Sequence, residues 1–329
     1  MVRTLKNTVR CIALALSLPY AAIAADLPTA KPGVVPSLVQ TQNAITAKAN
    51  DNVTQEQQNQ TAERRKQISA EAMASIAETH NALTALDAGK KDDALAALER
   101  ATGKLELILA RDPSLTLAPT NVEAVTISVM ADTNKVKAMR AETERLLDEG
   151  QVQAARHLLD GLASETVINV SNIPLATYPA AMKQAVKLID DGKLDAAKQT
   201  LQTALNTLVV KSTIIPLPVA AAQQMLAEAE KLSAKPNRKD VENNRLNILL
   251  AGARTQLEFA EVLGYGTRQD FQGFYAQLDD IKSKTSNGQS GNDFFGKIKS
   301  SLADLVKSIQ SAADNIPATS QYKSTNNPN

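Results

Sequence analysis

The chain is poor in the residues that most chemistry needs. Among its 329 residues there is one cysteine, Cys11, no tryptophan, two histidines, five tyrosines and five phenylalanines. One cysteine excludes a disulfide framework, and two isolated histidines with a single cysteine make no zinc set. Ten aromatics leave no surface on which RNA bases could stack. Neither charge sign dominates, with 36 Lys+Arg against 35 Asp+Glu, so no basic patch for nucleic acid is expected. No apolar run approaches the ~20 residues that span a bilayer. What remains is an ordinary globular composition, 43% hydrophobic and 22% charged.

The N-terminus reads as an export signal, residues 1–24. Arg3, Lys6 and Arg10 precede a short apolar stretch, and Ala22-Ile23-Ala24 forms a small-x-small cleavage site. Cleavage would remove Cys11 and three positive charges. It leaves 33 basic residues against 35 acidic ones, a net charge of −2, and a thiol-free chain. The expected location is the bacterial periplasm, with no membrane span in the mature chain.

Residues 25–60 read as a flexible tether, because Pro28, Pro32 and Pro36 break helices and TQEQQNQ (54–60) has little to bury. A helical core is expected over 61–266, beginning with the stripe Ile68, Ala72, Ile76, His80 and Leu83. Within it lies an internal repeat, apolar-Asp-x-Gly-x4-Ala-x3-Leu. It occurs at Leu86–Gly89 with Ala94 and Leu98, at Leu147–Gly150 with Ala155 and Leu159, and at Ile189–Gly192 with Ala197 and Leu201. Pro113, Pro174 and Pro216 each follow the repeat glycine, Gly89, Gly150 or Gly192, by the same spacing. Each unit predicts a helical hairpin whose first helix stops at the glycine. Asp92 and Asp195 are placed to cap or charge the second helix.

Three β-branched segments, 122–130, 166–170 and 208–215, predict short strands, the last two closed by proline. A helix follows over 237–263, with Val241, Leu246, Leu249, Ala253, Leu257 and Ala260 on one face. Two amphipathic patterns over 267–313, with a turn at 285–292, predict a C-terminal helical hairpin, and 314–329 reads as a polar tail. The fold class is therefore mainly α: helical hairpin repeats, a few short β segments and a C-terminal hairpin.

No catalytic constellation accompanies these elements. His80 lies on an apolar stripe with no carboxylate or nucleophile pattern beside it, and His157 falls on a solvated face. Gly264-Tyr265-Gly266 lacks the third glycine and lysine of a phosphate loop. The chain is expected not to be an enzyme and to carry no catalytic, cofactor-binding or metal residue. The aromatics concentrate after residue 258. Phe271, Phe274, Tyr275, Phe294 and Phe295 are the candidate client-binding residues, unless the hairpin that carries them docks as a lid on its own domain.

Several stretches resemble the YfdX family of bacterial envelope proteins: 83–113 (LTALDAGKKDDALAALERATGKLELILARDP), 172–181 (NIPLATYPAA), 208–219 (LVVKSTIIPLPV), GYGTRQDF (264–271) and FFGKIKSSL (294–302). The resemblance spans roughly 62–305. It implies a mostly helical protein that self-associates, belongs to heat- and acid-stress systems and has chaperone-like activity, with no catalytic residue to carry over. The expected function is periplasmic stress protection by holding unfolded clients. The alternative is a non-catalytic binding or scaffolding module for a protein partner or small ligand.

Overall fold

The computed structural model describes residues 38–129, 131–286, 290 and 294–314. The expected export signal, the prolines of the tether, most of the 285–292 turn and the tail beyond Asp314 lie outside them. The chain divides into residues 1–41, of which 38–41 open the first helix, and residues 42–329, which hold every other element. The described residues are mainly helical: eleven helices and one small sheet.

The first helix, α1 (Leu38–Lys66), replaces most of the expected tether. Its buried residues Ile45, Ala49, Val53, Gln57 and Thr61 recur at every fourth position. Polar side chains fill the positions between, so the stripe is thin and was hidden by composition. Gln60 bonds Glu56 at 3.0 Å and Gln55 bonds Asn59 at 3.2 Å along the solvent side.

The three repeats are three hairpins: α2 (Ala70–Asp87) with α3 (Lys91–Arg111), α4 (Thr133–Asp148) with α5 (Val152–Asp160), and α6 (Tyr178–Asp190) with α7 (Leu194–Asn206). Gly89, Gly150 and Gly192 stand between the helices at φ of 69°, 73° and 78°. This left-handed conformation strains any residue with a Cβ, so the glycine stops the first helix. Asp92 and Asp195 sit in the first turns of α3 and α7, where they favour the helix dipole. They do not cap, since the cap positions are Lys90 and Lys193 with no side-chain bond. Pro179 lies at the start of α6 and Pro218 at the start of α8, where a missing N–H costs nothing.

A strand follows each hairpin: β1 (Leu117–Ile127), β2 (Glu165–Pro174) and β3 (Val209–Pro216). They form one antiparallel sheet in the order β1-β2-β3. Pro174 and Pro216 close their strands, whereas Pro113 precedes β1, because the residues inserted between the first two units carry that strand.

Two main cores result. The first and third hairpins pack on each other through Leu86, Ala94, Leu98, Ala185, Ile189, Ala197 and Leu201, with small residues letting the helices approach. Tyr178 is buried among them and donates to the Thr79 hydroxyl at 3.0 Å, which in turn donates to the Ser75 carbonyl at 2.8 Å. The burial stripe of α2 is Ala72, Ser75, Thr79, Ala82 and Leu86, one residue displaced from the expected His80, which is exposed. The second core gathers α1, α8 (Leu217–Ser233), α9 (Asp240–Leu263), α10 (Arg268–Thr285) and α11 (Gly296–Asp314). Val241, expected on the inner face of α9, is exposed in its first turn.

Candidate functional site

The candidate client-binding aromatics are core residues. Phe271, Phe274 and Phe295 are fully buried with Leu278, Ile298 and Leu302, and Tyr275 and Phe294 pack partly buried against them. Phe271 and Phe274 meet edge to face at 5.6 Å. Tyr275 donates to Glu261 at 2.7 Å, and the Arg254 guanidinium lies 5.1 Å from its ring. Burial raises the Tyr275 hydroxyl above its ordinary range, and the Glu261 carboxylate adds to that. The hairpin is docked. Each large side chain taken out of this core into water would cost about 1.5–3 kcal/mol, so opening it is expensive.

Exposed large apolar side chains lie elsewhere: Met73 and Leu107 on the first repeat unit, Val125 and Ile127 on β1, Val241 on α9, and Leu147, Val152 and Leu159 on the second repeat unit. Leu147 is 45% and Leu159 48% exposed, whereas the same repeat positions are buried in the sister units, with Leu98 and Leu201 at 0%. Only Ala155 of α5 is buried, although one side of that helix is apolar. Sequence reasoning missed this surface because the repeat signature is the same in all three units. A signal was present: seven of the sixteen residues of α4 are charged, against three of the eighteen in α2.

The hairpin α4–α5 leans instead on the end of α9. Arg140 reaches the Glu261 and Val262 carbonyls at 3.5 Å, a cation at a helix C-terminus, and bonds Glu144 at 3.0 Å. Leu147, Leu159, Leu162 and Ala163 line a cleft of about 390 Å3 between them, with Glu165 and Tyr265 among its walls. Gly264 ends α9 at φ 83° and turns the chain so that Tyr265 points back to the sheet. There the Tyr265 hydroxyl donates to Glu165 at 2.9 Å and accepts the Ser164 N–H at 2.9 Å. Burial pushes the Glu165 carboxyl above its ordinary value, with the tyrosine bond opposing. Burial and the neighbouring carboxylate also raise Tyr265.

The edge strand β1 pairs with the strand that brings Glu165 to the cleft. Ile127 pairs with Glu165 and Val125 with Val167, on the sheet face that carries Glu165. Ile127 and Val125 are exposed, and among the described residues β1 has no strand on its outer side. Among the described residues no group of His, Cys, Asp or Glu is placed to hold a metal ion, and no helix is long and apolar enough to cross a membrane.

The YfdX family model, described as YfdX protein, matches residues 75–214. Over these residues the chain is similar to the YfdX family, in line with the resemblance seen in the sequence. The YfdX segment contains nearly all of the three repeat hairpins and the sheet, and it is narrower than the 62–305 that the sequence resemblance implied. Helices α1 and α8–α11 fall outside it. A solved structure of Salmonella Typhi YfdX is 17% identical, with 46% of this chain and 93% of that chain covered and a TM-score of 0.32. No curated protein matches the chain.

Proposed function

We propose that this is a periplasmic stress-protection protein that holds unfolded clients on the second repeat unit. The observation that carries the reading is the repeat itself. Leu147 and Leu159 occupy positions that are buried in both sister units, yet here they are left half in water, as are Val125 and Ile127 on the edge strand. An apolar surface flanking a free strand edge suits extended, unfolded chains, which can offer both side chains and backbone. Export through the N-terminal signal and a thiol-free mature chain fit a task outside the cytoplasm. The C-terminal aromatics act in this reading as the fixed core behind the surface, not as the client site.

The test is suppression of client aggregation by the purified mature chain. Replacing Leu147, Leu159, Val125 and Ile127 together by Ser should abolish most of the protection while the circular dichroism spectrum stays helical. Unchanged protection by that folded variant would overturn the reading.

A second reading, a non-catalytic module with one dedicated partner, rests on the packing of units one and three. Those units cover each other's leucines, so unit two of a second copy could cover Leu147 and Leu159 in the same manner. Sedimentation separates the two. A defined dimer that the serine variant dissociates, with no protection of clients, favours the module.

A further inference from the structure

A groove of about 480 Å3 lies between α1, the outer edge of β3, α8 and α11. Only its β3 wall, Lys211–Ile214, overlaps the YfdX segment, so the site is built by the parts of the chain outside that match. Its volume is that of a small-molecule pocket, roughly 300–1,000 Å3. Val53, Pro216, Ala220 and Val306 supply an apolar wall. Two cations, Arg64 and Lys211, stand on its rim, and no ion pair reaches either among the described residues. The one carboxylate in the lining, Glu56, already accepts from Gln60 at 3.0 Å. Gln57 sits in the wall at 8% exposure, and its amide nitrogen has no hydrogen-bond partner. A buried donor left unsatisfied costs about 1–3 kcal/mol, which a bound acceptor would recover.

The groove does not offer a free strand edge. The Gln310 side chain already accepts the Ile214 N–H at 3.1 Å and donates to the Ile214 carbonyl, standing in for a neighbouring strand. That favours a compact ligand over an added peptide strand. We infer that this groove binds a small amphipathic organic anion. Its carboxylate or phosphate lies toward Arg64, Lys211 and the Gln57 amide, and its apolar body lies against Val53, Ala220 and Val306.

Calorimetric titration of the full-length protein with octanoate, octyl phosphate and octanol tests this. At least one anion should bind saturably and at least about tenfold more tightly than octanol, the difference expected from one charge-assisted hydrogen bond. The stronger of the two identifies the head group as carboxylate or phosphate, and equal affinities assign the shared anionic chemistry. The double variant Arg64→Gln/Lys211→Gln should lose about tenfold for each anion that binds, with an unchanged melting temperature. Lys183→Gln, on a helix that does not line the groove, should leave the affinity unchanged. Absence of saturable anion binding, equal affinity for octanol, an unaffected folded double variant, or an equal loss in Lys183→Gln would each overturn the inference.

Discussion

The first and third repeat units and the second begin from the same pattern and end in opposite surroundings. In all three a glycine with positive φ stops one helix and an alanine packs at the crossing of the next, with Ala94, Ala155 and Ala197 each at 0% exposure. The hairpins themselves are therefore alike. They differ in what meets their outer leucines. Units one and three face each other and share a core, whereas unit two rests by Arg140 on the end of α9 and keeps Leu147 and Leu159 in water. A repeat motif specifies how its two helices meet. It does not specify a third surface to cover them.

The largest break in this comparison comes from truncating the leucines. Leu98→Ala or Leu201→Ala should destabilise the protein by about 2–5 kcal/mol, because each leaves a cavity in a closed core. Leu159→Ala, the same change at the same repeat position, should cost less than about 1 kcal/mol, since that side chain is already half solvated. Urea unfolding of the three variants measures both. Similar losses at all three positions would show that unit two is covered in solution.

Next in size are the shared glycines. Gly89→Ala, Gly150→Ala and Gly192→Ala should each cost about 1–2 kcal/mol, and nearly equally, because a Cβ meets nothing within 4 Å at any of them and only the backbone strain remains. Melting temperatures of the three variants check this. Equal costs here beside unequal leucine costs would separate the local part of the motif from its packing.

The smallest effect is expected at Glu165, where the sheet meets the cleft below unit two. Burial raises its folded carboxyl above the unfolded value, so the folded state takes up a proton at higher pH than the unfolded chain does. Stability from this group is then gained as pH falls through the raised value toward about 4.5 and is lost as pH rises. Glu165→Gln, which can still accept from Tyr265, should melt higher than the parent at pH 7. The gap should narrow on acidification. A constant gap across a pH series of thermal melts would remove Glu165 as the cause.

Much of the architecture was legible in the residues. The stops at Gly89, Gly150 and Gly192, the proline-closed strands β2 and β3 and the C-terminal hairpin all rest on short-range signals: a backbone that only glycine adopts easily, a missing N–H, an apolar period. Helix α1 was not legible, because its stripe of Ile45, Ala49, Val53, Gln57 and Thr61 mixes apolar and polar residues and is buried only through contacts with distant helices. The burial of the candidate client-binding aromatics was not legible for the same reason. Phenylalanines at 271, 274 and 295 are equally suited to grip a client or to fill a core, and nothing local distinguishes the two.

The sequence by itself determined where helices start and stop, that three hairpins repeat and that each is followed by a strand, because those properties depend on neighbouring residues. Only the tertiary structure decided which apolar faces are closed. The aromatic hairpin found α8 and α9, unit one found unit three, and unit two rests on the end of α9. Burial is a property of pairs of surfaces far apart in the chain, so identical motifs at Leu98, Leu159 and Leu201 can give two core residues and one exposed one.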